Sequence, residues 1–320
     1  MALSVDSQHS ATLAEPRPNA FPQPHGKSLS PQRLRFASQL KEACAQTVFW
    51  TAAAFSIAAV ALICLFLFAN GIPAIAKIGL PQFLLGSTWR PGNDLFGIFP
   101  MIVGSVYVTA GAMLIGVPAG VLTAIFLSRF ATPKLAAPLR AGIELLAGIP
   151  SVIYGFFGLM VLVPWVRVLG PGNGLSLLSA SLLLGIMILP TVITISKNAL
   201  DAVPQSYYEG AVALGASHER AVFCVLVPAA ASGILAAVVL GVGRAIGETM
   251  AVVMVAGNQP IVPESLLAGV RTLTANIVLE MGYAAGLHRG ALIATGVVLF
   301  VFVMALSLLF SAIKRRGEAL

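Results

Sequence analysis

The sequence predicts an all-α fold, a polytopic membrane helix bundle with six transmembrane helices, and three observations carry that prediction. Hydrophobic residues make up 58% of the 320-residue chain and charged residues 10%, whereas a soluble domain holds about 25% charged residues. Mean hydropathy is +0.93. Six apolar stretches recur along the chain, each long enough to cross about 30 Å of hydrocarbon at about 1.5 Å per helical residue.

Residues 1–45 are polar and rich in proline (Pro16, Pro18, Pro22, Pro24, Pro31) and lack apolar periodicity, so they read as a disordered cytoplasmic tail. They are too long and too proline-rich for the n-region of a cleaved signal peptide, and the apolar run after them has the length of a span. A membrane domain over residues 46–317 follows, with spans at about 48–69, 101–128, 143–166, 175–196, 222–257 and 291–313. Glycine and proline interrupt several of them: Gly116, Pro118 and Gly120 in the second, Gly148 and Pro150 in the third, Pro190 in the fourth, Pro228 in the fifth. In lipid such breaks are tolerated only where neighbouring helices or a cavity satisfy the freed backbone groups. A packed bundle is therefore expected, with Gly116/Gly120 and Gly243/Gly247 as small-residue faces for close helix approach.

The net charge of +7 orients the chain rather than binding nucleic acid, because the basic residues lie at span flanks and no aromatic residues interleave with them. With the N-terminus inside, thirteen Lys and Arg fall in inside segments and five outside (Lys77, Arg90, Arg167, Arg271, Arg289), leaving Arg244 in the membrane. The positive-inside rule then makes both termini cytoplasmic. Two outside segments, 70–100 and 258–290, are long enough to be ordered for a reason such as docking a partner. Cys44, Cys64 and Cys224 have no ligand spacing and read as packing residues. His218 and His288 fall in loops and read as solvated. Glu144 reads as snorkelling or pairing with Arg140.

Arg244 and Glu248 stand four residues apart in an otherwise apolar stretch. In a continuous helix they share a face and can pair. A charge at the bilayer centre costs about 2.5–3.5 kcal/mol on insertion scales, so the pair reads as a polar spot on a pathway, with Thr249 beside it as a hydroxyl donor. A buried structural ion pair fixing helix register, or an arginine held by helix carbonyls, is the other reading.

Between the fourth and fifth spans, a cytoplasmic coupling loop at about 197–222 contains a second informative segment. Pro204 breaks one helix. Ser206 is placed to cap the next, with Glu209 as the capping-box acid. Tyr207, Ala211 and Leu214 then share a face, and Gly215 can end the helix. The product is a short amphipathic helix, either an ordinary connection or a knob for a groove on another protein.

Glu209-Gly210-Ala211, then Gly215, then Val225 to Pro228 resembles the Glu-Ala-Ala loop of ABC importer (type I) permease subunits, with matching spacing. Gly210 stands where that pattern has alanine and Val227 where it has leucine. Within the family the chain is most similar to the PstC type of phosphate transport permease. The residues carrying that likeness are Phe96 to Pro100, Ala147 to Gly155, Met187 to Pro190, Arg244 to Val252 and Val255 to Asn258. The Gly148 to Ser151 and Arg244 to Thr249 stretches are also typical of the sister subunit, PstA. The resemblance implies a bacterial inner-membrane transporter subunit, with Arg244, Glu248 and Thr249 on the phosphate path. It implies that Glu209, Gly210, Ala211 and Gly215 dock on a separate ATPase. The partners it implies are a PstA-like second permease, PstB-like cytoplasmic ATPase subunits and a PstS-like extracytoplasmic phosphate-binding protein. On such a path a low dielectric would make Arg244 attract the anion strongly, and Glu248 is expected to keep Arg244 neutralised when no substrate is present.

No Gly-x-x-x-x-Gly-Lys-Ser/Thr, His-Glu-x-x-His or Gly-x-Ser-x-Gly occurs. An ATP-hydrolysing or proteolytic chain is not indicated, no cofactor or metal is expected, and energy is expected from a partner chain. The alternatives are a permease for another oxyanion and an ion-coupled secondary carrier, to which a docking knob would be of no use.

Overall fold

The computed structural model describes residues 31–317. The chain divides into two units, Met1–Val60 and Ala61–Leu320. The described part of the first unit is helical throughout, the opening stretch of α1 (Pro31–Ile78). That helix corrects the reading of 31–45 as disordered tail; residues 1–30 of the tail lie outside the described residues. The physical reason is local. Proline suits a first helical position, where the N–H would be unpaired anyway, and 32–43 is rich in Gln, Arg, Leu, Lys, Glu and Ala, which are good helix formers.

In the second unit, α1 ends and α2 (Leu80–Leu85) follows. A small antiparallel hairpin comes next, β1 (Trp89–Arg90) with β2 (Leu95–Phe96), pairing Trp89 with Phe96 and Arg90 with Leu95. Then come α3 (Phe99–Ile125), α4 (Pro133–Gly148), α5 (Ser151–Phe157), α6 (Val163–Val168) and α7 (Leu177–Asp201). The rest are α8 (Gln205–Ala213), α9 (His218–Ala221), α10 (Val227–Ala229), α11 (Ala231–Gly247), α12 (Met250–Val255), α13 (Leu273–Glu280) and α14 (Gly286–Gly317).

Five stretches are long and apolar enough to cross a membrane: Cys44–Ile78, Phe99–Phe130, Ser151–Val168, Leu177–Asp201 and Gly286–Ala312. The sixth is a bent pair, His218–Ala229 and Ala231–Gly247, meeting at 67°. The expected span at 222–257 is thus not one helix. It bends at Ala230 (φ −88°, ψ 2°), just after Pro228, and stops at Gly247. Alternating the six spans puts the hairpin and 256–285 at one end of the bundle, with the α3–α4 turn and α8 at the other.

A widened turn precedes two of the prolines in the spans, and at Pro228 the 67° bend follows it. Proline has no N–H and its ring crowds the carbonyl four residues back. Gly158–Leu162, before Pro164, and Val222–Leu226, before Pro228, are π-helical, and the N–H of Val163 and of Val227 reach five residues back to Gly158 O and Val222 O. The inserted residue takes up the missing bond within the span.

The core forms around α7. Gly116 and Gly120 let α3 lie against it: a β-carbon on Gly116 would stand 2.6 Å from Gly185 O, and one on Gly120 2.7 Å from Val192 Cγ1. The expected close-packing face is used there. Val108 and Ala112 of α3, Leu183, Ile188 and Val192 of α7, Tyr154 of α5 and Val252 of α12 make one buried cluster.

Candidate functional site

Two broken helices meet beside Arg244. Helix α11 stops because Glu248 turns extended (φ −71°, ψ 126°) and Thr249 leaves helical geometry (φ −120°, ψ −57°), before α12 starts at Met250. A helix start has N–H groups without partners. Here Glu248 Oε1 accepts one of them, Ala251 N–H, at 3.2 Å. The Glu248 main-chain carbonyl accepts from Thr274 Oγ1 at 3.3 Å, and Thr249 Oγ1 donates to Gly247 O at 3.2 Å. Pairing at four residues' spacing needs a continuous helix, and this one is interrupted between the two charges. Arg244 and Glu248 accordingly form no ion pair among the described residues, which corrects the expected pair.

Arg244 is exposed in the single chain, and its side chain has no hydrogen-bond partner among the described residues. Ala245 and Ile246 pack inward, while Gly243 and Gly247 have nothing within 4 Å of where a β-carbon would stand. The last turn of α11 thus has one face in the core and one open face that carries a guanidinium. Unlike Gly116/Gly120, Gly243/Gly247 do not pack within this chain. A charged open face in a span belongs to a polar cavity or a neighbouring protein, not to lipid.

The second break is at 148–150. Pro150 holds Ile149 extended (φ −70°, ψ 127°) and removes the N–H that would have met Leu146 O one turn on. Tyr154 supplies the missing donor, its hydroxyl donating to Leu146 O at 2.7 Å. Helices α5 and α12, each opening after a break, lie together: a β-carbon on Gly155 would stand 2.7 Å from Met254 Sδ and 3.0 Å from Ala251 Cα. The site therefore combines an unpaired guanidinium with two helix breaks. An Arg fork suits oxyanions, and broken helices in spans bring backbone polar groups to bilayer depth.

The other end of the bundle carries α8. Its first turn follows Pro204, with no side-chain cap, so Ser206 lies inside the helix rather than capping it. Its last turn is a Schellman closure: Gly215 N–H donates to Val212 O at 2.9 Å and Ala216 N–H to Ala211 O at 3.1 Å. Gly215 has φ +84°, which an L side chain rarely adopts. Glu209, Gly210 and Gly215 are exposed and Ala211 is half-buried, while Leu214 is 92% exposed. Leu214 is thus a single apolar side chain left in solvent at the end of a well-closed helix.

His218 is not a solvated loop residue. Nδ1 meets Tyr208 Oη at 2.9 Å, Nε2 meets Arg129 O at 3.1 Å, and the ring lies edge-on to Phe130. Arg129 in turn donates to Leu200 O at 2.7 Å, and Ser128 Oγ to Asp201 Oδ1 at 2.6 Å, while Lys197 pairs with Asp201. These bonds tie α8 to the ends of the α3 and α7 spans. Arg140 and Glu144 form no ion pair among the described residues; both line a cavity of about 250 Å³ with Lys197.

At the far end, Glu280 is a node that sequence reasoning missed. It is 7% exposed and accepts from Trp89 Nε1 at 2.9 Å and Arg271 Nη1 at 2.7 Å, with His288 Nε2 at 2.9 Å. His288 also stacks on Phe96, which corrects its reading as solvated. The signal available was a lone acid in the apolar run Val278-Leu279-Glu280-Met281, the same kind of signal that singled out Arg244.

Residues 116–317 match the family described as "Binding-protein-dependent transport system inner membrane component". The chain is 39% identical over 287 residues to the "Probable ABC transporter permease protein YqgH" of Bacillus subtilis, covering 88% of this chain and 93% of that one. It is 38% identical over 256 residues to the "Phosphate transport system permease protein PstC" of Mesorhizobium japonicum, covering 73% and 78%. In fold it is similar to a chain of a bacterial ABC transporter involved in the import of the acidic polysaccharide alginate, with a TM-score of 0.57, 14% identity and coverage of 88% and 99%. The match over most of the span-forming chain places it: this protein belongs to the family of binding-protein-dependent transport system inner membrane components.

Proposed function

We propose that this chain is the PstC-type transmembrane subunit of an ATP-driven phosphate importer, and that Arg244 lines the path of the anion. The observation that carries the path is the unpaired guanidinium on the open face of α11, beside two helix breaks. The likeness to phosphate permeases supports the substrate. Phosphate is strongly hydrated, and to cross an apolar layer it exchanges water for fixed donors. An arginine fork supplies two of them in parallel. With Glu248 engaged at the start of α12, Arg244 keeps its charge for the substrate, and Thr249 stands beside it as a hydroxyl. The open Gly243/Gly247 face meets a second permease, so that the path runs between two chains.

In this reading both termini and α8 face the cytoplasm. Glu209, Gly210, Ala211 and Gly215 seat on an ATPase subunit, and the Leu214 tip fills an apolar groove there. Closure of the ATPase dimer pushes α8, and the Tyr208–His218–Arg129 contacts pass the motion to the spans. The end that carries Glu280 receives phosphate from an extracytoplasmic binding protein.

Uptake by the reconstituted complex tests the path. Arg244→Ala is expected to lower ATP-coupled phosphate uptake about 10- to 100-fold, since a hydrogen bond to a charged group contributes about 1.5–3 kcal/mol. Unchanged uptake rejects the pathway role. Sulfate, molybdate and phosphonate as competitors test the substrate, and equal competition by any of them rejects phosphate specificity.

A further inference from the structure

A second basic site lies away from Arg244. Near the ends of the first and last spans, the α1 segment 66–77 and the α14 segment 286–293 enclose a groove of about 620 Å³. Lys77 and Arg289 line it together with Asn70, and no acidic residue does. Neither cation has an ion-pair partner among the described residues. The Asn70 amide is already used, donating to Phe66 O at 2.8 Å. The rest of the lining is largely apolar, with Phe66, Leu287 and Ile293. The groove is a built part of the fold rather than a gap between loose helices, because Ala74 of α1 and Ala291, Leu292 and Ala294 of α14 belong to one buried cluster beneath it.

The first span ends at Ile78 and the last begins at Gly286. Lys77 and Arg289 therefore stand where hydrocarbon gives way to headgroups. Two cations with no acid between them, above an apolar lining at that depth, match one chemistry: a phosphate group, either on an anionic glycerophospholipid whose acyl chain lies along Phe66 and Ile293, or free in solution. We propose that this groove is a phosphate-group site, separate from the path at Arg244, and that an anionic lipid fills it.

The test uses the purified protein with its co-purifying subunits, in nanodiscs of phosphatidylcholine with increasing phosphatidylglycerol, and in a second arm in phosphatidylcholine alone with inorganic phosphate. Native mass spectrometry counts retained phosphatidylglycerol, and thermal unfolding reads the stabilisation. In the first arm, the Lys77→Gln/Arg289→Gln double variant is expected to bind phosphatidylglycerol more weakly, about fivefold per removed charge and roughly 25-fold for the pair. Lys77→Arg/Arg289→Lys is expected to keep binding, which separates lost charge from misfolding. If instead inorganic phosphate alone gives stabilisation that needs Lys77 and Arg289, the phosphate-group site stands and its occupant is the free ion. If neither arm distinguishes the wild type from the Gln pair, the proposal is overturned.

Discussion

Glu248 is held by two bonds that have nothing to do with Arg244: its carboxylate caps Ala251 N–H and its carbonyl takes the Thr274 hydroxyl. Its work is positional, fixing where α11 stops and α12 starts, and hence where Arg244 points. A glutamine keeps an oxygen at the same place, whereas alanine does not. We expect Glu248→Gln to retain most uptake and nearly all thermal stability. Glu248→Ala should lose about 0.5–2 kcal/mol, as other capping residues do, with uptake falling alongside. Equal damage from both, read by uptake and unfolding of the reconstituted complex, would mean that the charge itself is needed and restore a neutralising role. The two charges were legible because nothing else near them is polar. Their separation was not: no proline marks the break at Glu248–Thr249, and the bonds that go with it, Glu248 to Ala251, Thr249 to Gly247 and Thr274 to Glu248, show only in the fold. His218 and Glu280 escaped for a related reason, since each has one remote partner, Arg129 O and Trp89, and others eight to ten residues away, beyond the spacing of a helix turn.

At the scale of elements, α8 shows what local chemistry decides by itself. Pro204 and Gly215 bracket it as the spacing predicts, and Gly215 closes it at φ +84°. The side chain at that position meets nothing, so backbone conformation alone sets the cost of replacing it. Gly215→Val is expected to cost about 1–2 kcal/mol, the left-handed penalty for an L residue, spent by fraying the last turn and moving the Leu214 tip. Gly215→Asn, which tolerates that region better, should be close to neutral. ATP hydrolysis coupled to uptake is the readout, with membrane insertion as control. Equal coupling in the valine and asparagine variants would show that the closure does not matter. The π-helical turns mark the limit of such reading. Pro164 and Pro228 predict a disturbance in their spans, but whether the chain kinks or inserts a residue depends on what packs beside it.

Across the whole molecule, composition and span length made the bundle legible, because lipid accepts few solutions for a backbone. What fastens the ends of the spans was not legible. Glu280 joins the hairpin, through Trp89, to the segments on either side of α13, through Arg271 and His288, and Arg271 also holds the loop before it by donating to Asn258 O at 2.8 Å. The Arg271–Glu280 pair is largely enclosed, with side chains 14% and 10% exposed. Removing one partner of such a pair leaves an uncompensated charge, which costs about 3–5 kcal/mol. Glu280→Ala is therefore expected to destabilise the purified complex by that order, seen as a lower unfolding temperature. Arg271→Met in the Glu280→Ala background should recover part of the loss, because no unpaired charge then remains. The pairwise term comes from the double-mutant cycle. If Glu280→Ala leaves unfolding unchanged, or if the second substitution only adds further loss, the node is not what holds this end together, and the loops there are carried by the apolar contacts of Trp89 and Phe96 alone.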